Sequence, residues 1–304
     1  MVELKNVLSY YDGISCGQEA LKQIGLKFEN YYASEIDKYA IKVTQKNHPD
    51  TIQIGDALQI DYSKLKDIDL IIGGSPCTYW SIAKNNRETT TDGNGYRLFM
   101  AFSEGIKHFK PKFFLYENNN SIHQNIKDEI TKELGVKPIL INSALVSAQV
   151  RKRLYWTNIP NVTQPLDRQI ILRDILESGE SFNEKSYCLT SSYNGAVIWN
   201  TLQRKQRTMV AERCGIIGKG GQGQRIYYVE NKSIAITTTH GGGIYKIDLP
   251  DGDYHIRKLS PIECERLQTL PDNYTSEISN TQRYKCLGNG WTLEVIKHIL
   301  SNIK

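Results

Sequence analysis

Three stretches of this chain place reactive side chains at the ends of apolar runs. The first is Ile71-Ile72-Gly73-Gly74-Ser75-Pro76-Cys77. Leu70-Ile71-Ile72 is short, apolar and β-branched, the pattern of a central strand in a parallel sheet. Gly73 and Gly74 then permit a tight turn, and Pro76 fixes φ just ahead of the thiol. Loops at the carboxyl ends of strands are where open α/β sheets put their reactive groups. The second stretch, Phe113-Phe114-Leu115-Tyr116, is another apolar strand, and it delivers Glu117-Asn118. A thiol and a carboxyl at neighbouring strand ends supply a nucleophile and a proton donor. The third is Gln149-Val150-Arg151-Lys152-Arg153, whose two arginines alternate on a strand-like stretch and so share one face. Alone, Cys77 would read as a small packing residue; its company argues for a nucleophile.

A separate group of residues describes a binding site. The run Asn6-Val7-Leu8-Ser9-Tyr10 feeds the turn Tyr11-Asp12-Gly13-Ile14-Ser15-Cys16-Gly17 and then a helical pattern. Such a turn lets a ligand approach the backbone with a helix amino terminus facing its polar groups. About twenty residues further on stands Ser34-Glu35-Ile36-Asp37, where an acid can accept from both hydroxyls of a ribose. Gly55-Asp56 ends a third strand, and its carboxylate is placed to accept from an exocyclic adenine amine. Together these describe an adenosine-containing ligand. A nicotinamide dinucleotide is disfavoured, because the full G-x-G-x-x-G spacing is absent.

The elements that must position these groups are legible as alternation. Candidate strands at 7–10, 31–34, 52–54, 70–72, 113–116 and 138–142 are separated by helical spacing, as in 17–24 and 37–47. That alternation predicts a doubly wound, Rossmann-like parallel sheet. After Pro160 the character changes. Residues 165–255 carry short β-like pieces and many glycines and threonines, with little helical periodicity after 172–177. From Trp199 to Tyr228 there are six Arg or Lys (Arg204, Lys205, Arg207, Arg213, Lys219, Arg225) against one acid, Glu212. A basic, glycine-rich surface suits approach to a phosphate backbone, although a solvated loop with incidental charge has the same composition. From Arg257 the chain is helical again, with Ser260-Pro261-Ile262-Glu263 forming an N-cap, a first-turn proline and an N3 acid. The expected division is therefore 1–164 with 256–304 as one domain, and 165–255 as a second, smaller, mainly β domain.

With 304 residues the chain has room for both and for a large core. No run is long enough to span a membrane, and the amino-terminal residues lack the pattern of a signal peptide, so a cytoplasmic protein is expected. The six cysteines (16, 77, 188, 214, 264, 286) show no CxxC pair and no metal-ligand spacing; they read as reduced thiols, and no metal is expected. A net charge of +5 is compatible with nucleic acid without being diagnostic.

Ser75-Pro76-Cys77, Glu117-Asn118 and Gln149-Val150-Arg151-Lys152-Arg153, in that order, resemble the motif set of the DNA cytosine-5 methyltransferases; the wording of Val7 to Leu21 and of Leu287 to Ile299 is closer to phage-type and vertebrate de novo enzymes than to the most studied restriction companions. Arg257-Lys258-Leu259-Ser260-Pro261 and Leu287-Gly288-Asn289-Gly290-Trp291-Thr292 resemble the family's last two motifs. The resemblance implies a class I methyltransferase fold with a target-recognition domain. It implies S-adenosylmethionine as cofactor, with S-adenosylhomocysteine as product, held by Tyr11, Asp12 and Gly13, by Glu35 and Ile36, by Asp56 and Ala57, by Ser75 and Pro76, and by Asn289 and Trp291. On sequence alone Trp291 is equally a core aromatic. The implied catalytic residues are Cys77, Glu117, Arg151 and Arg153, with Arg153 contacting the cytosine.

Double-stranded DNA is the implied partner. Residues 79–92 form a loop that would close on it, contributing Ser81, Lys84 and Arg87, with Arg204, Lys205, Arg207, Lys219 and Arg225 on the recognition segment. Tyr79-Trp80 either stacks on DNA or packs. The protein is expected to act as a monomer on DNA, in a bacterial or phage setting, with a cognate restriction enzyme as a further partner the resemblance allows. Two other readings stand beside this one: a transfer RNA cytosine methyltransferase, and an inactive homologue that only binds. The second is disfavoured because Cys77, Glu117, Arg151 and Arg153 are all present.

Overall fold

Strands that are apolar on both faces must be covered on both faces, and this dictates the architecture. The computed structural model describes residues 3–81, 86–213 and 254–303. The first half of the chain runs β1 (Leu4–Tyr10), α1 (Cys16–Gln23), β2 (Phe28–Ser34), α2 (Lys38–Asn47), β3 (Ile52–Gln53), β4 (Ile68–Gly73), α3 (Asn94–Phe109), β5 (Phe113–Asn119), α4 (Gln124–Leu134), β6 (Ile139–Asn142) and β7 (Lys152–Thr157). Among the described residues these strands make one seven-stranded sheet in the order β3-β2-β1-β4-β5-β7-β6. Successive side chains alternate between two cores. Val7, Leu70, Ile72 and Leu115 join Ala20, Leu21 and Val43 on one side. Leu8, Ile71, Phe114 and Tyr116 join Phe99, Phe102, Ile126 and Ile130 on the other. The near-continuous apolar runs of the sequence are thus strands buried on both faces.

The sheet departs from the all-parallel expectation at one edge. β1 to β5 pair in parallel, but β7 enters between β5 and β6 and is antiparallel to both. β7 begins Lys152-Arg153, so its polar start does not announce an internal strand, and its place in the sheet is a tertiary outcome. α3 and α4 occupy the helical intervals expected between the later strands, although α3 opens on Asn94-Gly95 and contains Gly105, which blur its helical pattern.

The later chain contributes β8 (Glu180–Ser181), α5 (Ile198–Leu202), β9 (Met209–Arg213), β10 (Tyr254–Lys258), α6 (Pro261–Leu267), α7 (Asn280–Asn289) and α8 (Leu293–Leu300). β8, β9 and β10 form a small antiparallel sheet. The expected helical stretch at 172–177 is a single 3₁₀ turn over Leu172–Ile175. Leu172, Leu189, Tyr193 and Val210 share one core with Leu293, Ile296 and Ile299 of α8, so the described part of 165–255 is seated on the large sheet's own helices. The capping box expected at Ser260 is formed: its Oγ accepts from the Glu263 N–H at 3.1 Å, and Glu263 accepts from the Ser260 N–H at 2.7 Å. Glu263 is fully buried and takes both Nη atoms of Arg257 at 2.8 Å, tying β10 to α6. Among the described residues no helix is long and apolar enough to cross a membrane.

Candidate active site

β4 ends at Gly73, and Cys77 opens a 3₁₀ turn over Cys77–Tyr79 whose closing N–H groups, from Trp80 and Ser81, bond the Cys77 carbonyl at 3.1 and 3.0 Å. The intervening loop is pinned from β5. Asn118 Nδ2 donates to the Ser75 carbonyl at 3.1 Å, and the Ser75 hydroxyl lies 2.6 Å from that of Tyr116. Trp80 is fully buried in the core, which settles it as packing, whereas Tyr79 is half-buried on the wall of the site. Asn119, the unusual residue after Glu117-Asn118, faces its own turn, where its Oδ1 accepts from Ser121 N–H at 2.9 Å and Oγ at 2.7 Å.

Glu117 is 8% exposed, and both carboxylate oxygens are engaged. Oε1 stands 3.0 Å from Arg153 Nε, and Oε2 accepts from Trp291 Nε1 at 2.9 Å. Arg153 reaches Glu117 because β7 pairs antiparallel with β5, with Arg153 opposite Asn119. Burial works to lower the Arg153 pKa, but Cys188, Glu117 and Cys77 around it outweigh that and hold it high. Arg151 faces elsewhere. Its guanidinium donates to the carbonyls of Leu189 at 3.0 Å and Gly290 at 2.9 Å, bracing the 188–189 stretch against the carboxyl-terminal segment.

Between the two arginines lies a residue that sequence reasoning missed. Cys188 Sγ is 3.4 Å from Arg151 Nη1 and 3.8 Å from Arg153 Nη2. Burial pushes its thiol pKa up, yet the two guanidiniums prevail and hold it below the ordinary thiol range. No local signal marks Cys188, which lies outside every motif and 35 residues from Arg153.

On the ligand side, Gly13 adopts φ +61°, a conformation suited to glycine, and its N–H donates to Glu35 Oε2 at 2.8 Å. The other oxygen of Glu35 accepts from the N–H groups of Ile36 and Asp37 at 2.7 and 2.8 Å. Asp56 caps its own short turn through the Leu58 N–H at 3.0 Å. Asp12 is half-buried, accepts from the hydroxyls of Tyr31 at 2.8 Å and of Ser15, and has its pKa pushed up by loss of solvent to about 6. Every residue named from sequence for the cofactor and for the chemistry, from Tyr11 to Trp291, lines a single cavity of about 470 Å³. Asp12, Glu35, Asp37 and Asp56 stand on its wall, and among the described residues Arg151 and Arg153, beside Glu117 and Cys188, are the only cations that line it. An acid-lined pocket with cations confined to that corner fits a cationic adenosine ligand and not a dinucleotide phosphate.

The residues named for DNA are not gathered in this way. Arg87 donates to the Ser121 carbonyl at 2.7 Å. Arg207 is held by the Gly195 carbonyl at 3.1 Å and Ser192 Oγ at 2.9 Å. Arg204 and Lys205 are exposed, next to a half-exposed Trp199. Lys84, Lys219 and Arg225 lie outside the described residues, as does the second half, 214–228, of the basic stretch.

A seven-stranded sheet of this order, with a strand-end thiol and carboxylate opening on an acid-lined cavity, defines a Rossmann-like methyltransferase. More narrowly, the chain belongs to the C-5 cytosine-specific DNA methylase family, whose family model matches residues 5–304, and it is a DNA (cytosine-5-)-methyltransferase. It is 29% identical to the type II methyltransferase M.HhaI of Haemophilus parahaemolyticus over all of this chain and 97% of that protein. It is 26% identical to the orphan methyltransferase M.SPRI of Bacillus phage SPR, over 98% of this chain and 97% of that one. The fold matches the solved structure of the Entamoeba histolytica methyltransferase EhMeth with a TM-score of 0.72 at 16% identity, covering 99% and 98% of the two chains.

Proposed function

We propose that this enzyme transfers the methyl group of S-adenosylmethionine to carbon 5 of a cytosine flipped out of a specific duplex sequence, through a covalent bond to Cys77. The observation that carries this reading is the common cavity: the acid-lined wall with Glu35, Asp56 and Trp291 is continuous with the wall bearing Cys77, Glu117 and Arg153. When bound, the cofactor supplies an electrophilic methyl on a sulfonium. Glu35 and Asp56 hold its ribose and adenine, Asp12 and the Gly13 turn its polar chain, and Ile36, which is 75% exposed, covers it from the rim.

Carbon 5 of cytosine is a poor nucleophile. Addition of the Cys77 thiolate to carbon 6 moves electron density onto carbon 5 and makes it reactive. Glu117 donates a proton to nitrogen 3 and accepts from the exocyclic amine, offsetting the negative charge that develops as sulfur adds. Arg153 orients Glu117 and contacts the pyrimidine carbonyl, and Arg151 braces the walls. Loss of the carbon 5 proton then expels the thiolate and restores the aromatic ring.

None of these atoms can reach a stacked base, so the base must leave the duplex, at a cost of a few kcal/mol met by protein contacts. Residues 165–255 would form the recognition domain beside a catalytic domain of 1–164 and 256–304. Ser81 and Lys84 from the loop, with Arg204, Lys205, Lys219 and Arg225, are proposed to contact DNA. Arg87 and Arg207 join them by exchanging their protein acceptors, the Ser121 and Gly195 carbonyls and the Ser192 hydroxyl, for phosphates. We infer a monomer on DNA, and a restriction companion is compatible with it.

Bisulfite sequencing of DNA from a non-methylating host expressing the wild-type chain, and separately Cys77→Ser, tests the reading. Protection of cytosine in one short context, absent with C77S, is expected. Equal protection by C77S overturns the covalent mechanism, and no protection of DNA redirects the substrate to RNA.

A further inference from the structure

We propose that Trp291 is a positioning residue for Glu117, coupling the cofactor wall to the base-reading wall through one hydrogen bond. The inference rests on the catalytic role given to Glu117 above. Of the two donors on that carboxylate, one comes from β7 and the other, the Trp291 indole N–H, from a residue 174 positions away that also lines the cofactor side. The indole is itself fixed at its backbone. The preceding Gly290 carbonyl accepts from Arg151 at 2.9 Å and from Gln268 Nε2 at 3.2 Å, and the Trp291 carbonyl lies 3.7 Å from Cys16 Sγ at the start of α1.

The end of β4 leaves room for this pair. A Cβ at Gly74 would stand 3.0 Å from Glu117 Oε2, 2.9 Å from the Glu117 carbonyl and 3.4 Å from Trp291 Nε1. The absence of a side chain at Gly74 is therefore matched to the bond. A carboxylate held by two donors from different walls has one orientation. With the indole donor removed, Oε2 turns freely about the last torsion, and a misplaced catalytic group is penalised in rate more than in cofactor affinity.

The test is steady-state kinetics of Trp291→Phe, which keeps a ring on the cofactor wall and loses the N–H. Unmethylated phage λ DNA and tritiated S-adenosylmethionine serve as substrates, and S-adenosylhomocysteine binding is measured by calorimetry. The expected result is a kcat at least fivefold below wild type, with KM for S-adenosylmethionine changed less than fivefold. A kcat within fivefold of wild type overturns the proposal, whatever the KM, and leaves Trp291 as pocket wall alone. Should W291F fail to bind S-adenosylhomocysteine, Gly74→Ala decides by the same criterion, because its added methyl crowds Glu117 Oε2 at 3.0 Å while meeting the indole nitrogen only at van der Waals distance, 3.4 Å. Glu117→Gln is assayed alongside. An E117Q enzyme as fast as wild type withdraws the role of Glu117 itself, whereas an inactive E117Q beside an unimpaired W291F overturns the part given to Trp291 only.

Discussion

Replacing Arg151 with methionine keeps an apolar stem in a site only 4% exposed and removes the guanidinium that joins two distant segments. The Leu189 carbonyl, bonded at 3.0 Å, loses its charged donor and has only the thiol of Cys188 at 3.5 Å in exchange. The Gly290 carbonyl, bonded at 2.9 Å, keeps Gln268 Nε2 at 3.2 Å. The Gly288 carbonyl loses its contacts at 3.4 and 3.5 Å as well; at about 1 kcal/mol for each of the three losses, R151M should lower the unfolding free energy by about 3 kcal/mol. That is a large share of the roughly 5–15 kcal/mol typical of a folded domain. Guanidinium denaturation followed by tryptophan fluorescence measures it. Arg151→Lys should fall between the two, since one ammonium lacks the fork that serves both carbonyls. An R151M enzyme within about 1 kcal/mol of wild type, yet inactive, would refute the brace and make Arg151 a direct contact to substrate.

Two further outcomes follow from the titrating groups. Asp12 binds its proton more tightly in the folded state, with a pKa of about 6 against 3.8 for a free aspartate carboxyl. Its contribution to stability is therefore full below the lower value and is lost as pH rises through about 6. Asp12→Asn should remove that slope, worth about 3 kcal/mol across the window, and parallel stability–pH curves for the two proteins would contradict it. The comparison must be a difference, because His48, whose pKa burial lowers from 6.5 to about 4, loses stability in the opposite direction, as pH falls. His48 lies 3.4 Å from Glu19, but with that lowered pKa the contact is between a neutral imidazole and a carboxylate, not an ion pair. For Cys188, alkylation by iodoacetamide in a C77S background, followed by mass spectrometry across pH, should show a midpoint below the free-thiol value of about 8.5. Arg153→Met should move that midpoint upward. A wild-type midpoint at or above the free value would show that the guanidiniums do not govern the thiol.

What the linear chain determined is local. Gly73-Gly74-Ser75-Pro76-Cys77 is a strand end followed by a stiff turn, and it is that in the structure because its neighbours in sequence impose it. The same is true of the Gly13 turn, of Glu35 and Asp56 at their strand ends, and of the Ser260 capping box, whose partners lie three residues apart. Motif order carried the rest of the residue list, and the common cavity shows those residues gathered.

What only the tertiary structure decided is which of them touch. The antiparallel insertion of β7 sets Arg153 against Glu117, and no periodicity in residues 152–157 specifies that register. Arg151, two residues earlier and seemingly equivalent, turns to the carbonyls of Leu189 and Gly290 instead. Cys188 joins the arginines, and Trp291 closes on Glu117, from 37 and 174 residues away. Sequence patterns report backbone preferences over a few residues, whereas these contacts depend on the order and register of strands. That order follows from how both faces of the sheet are buried, which is a property of the whole chain.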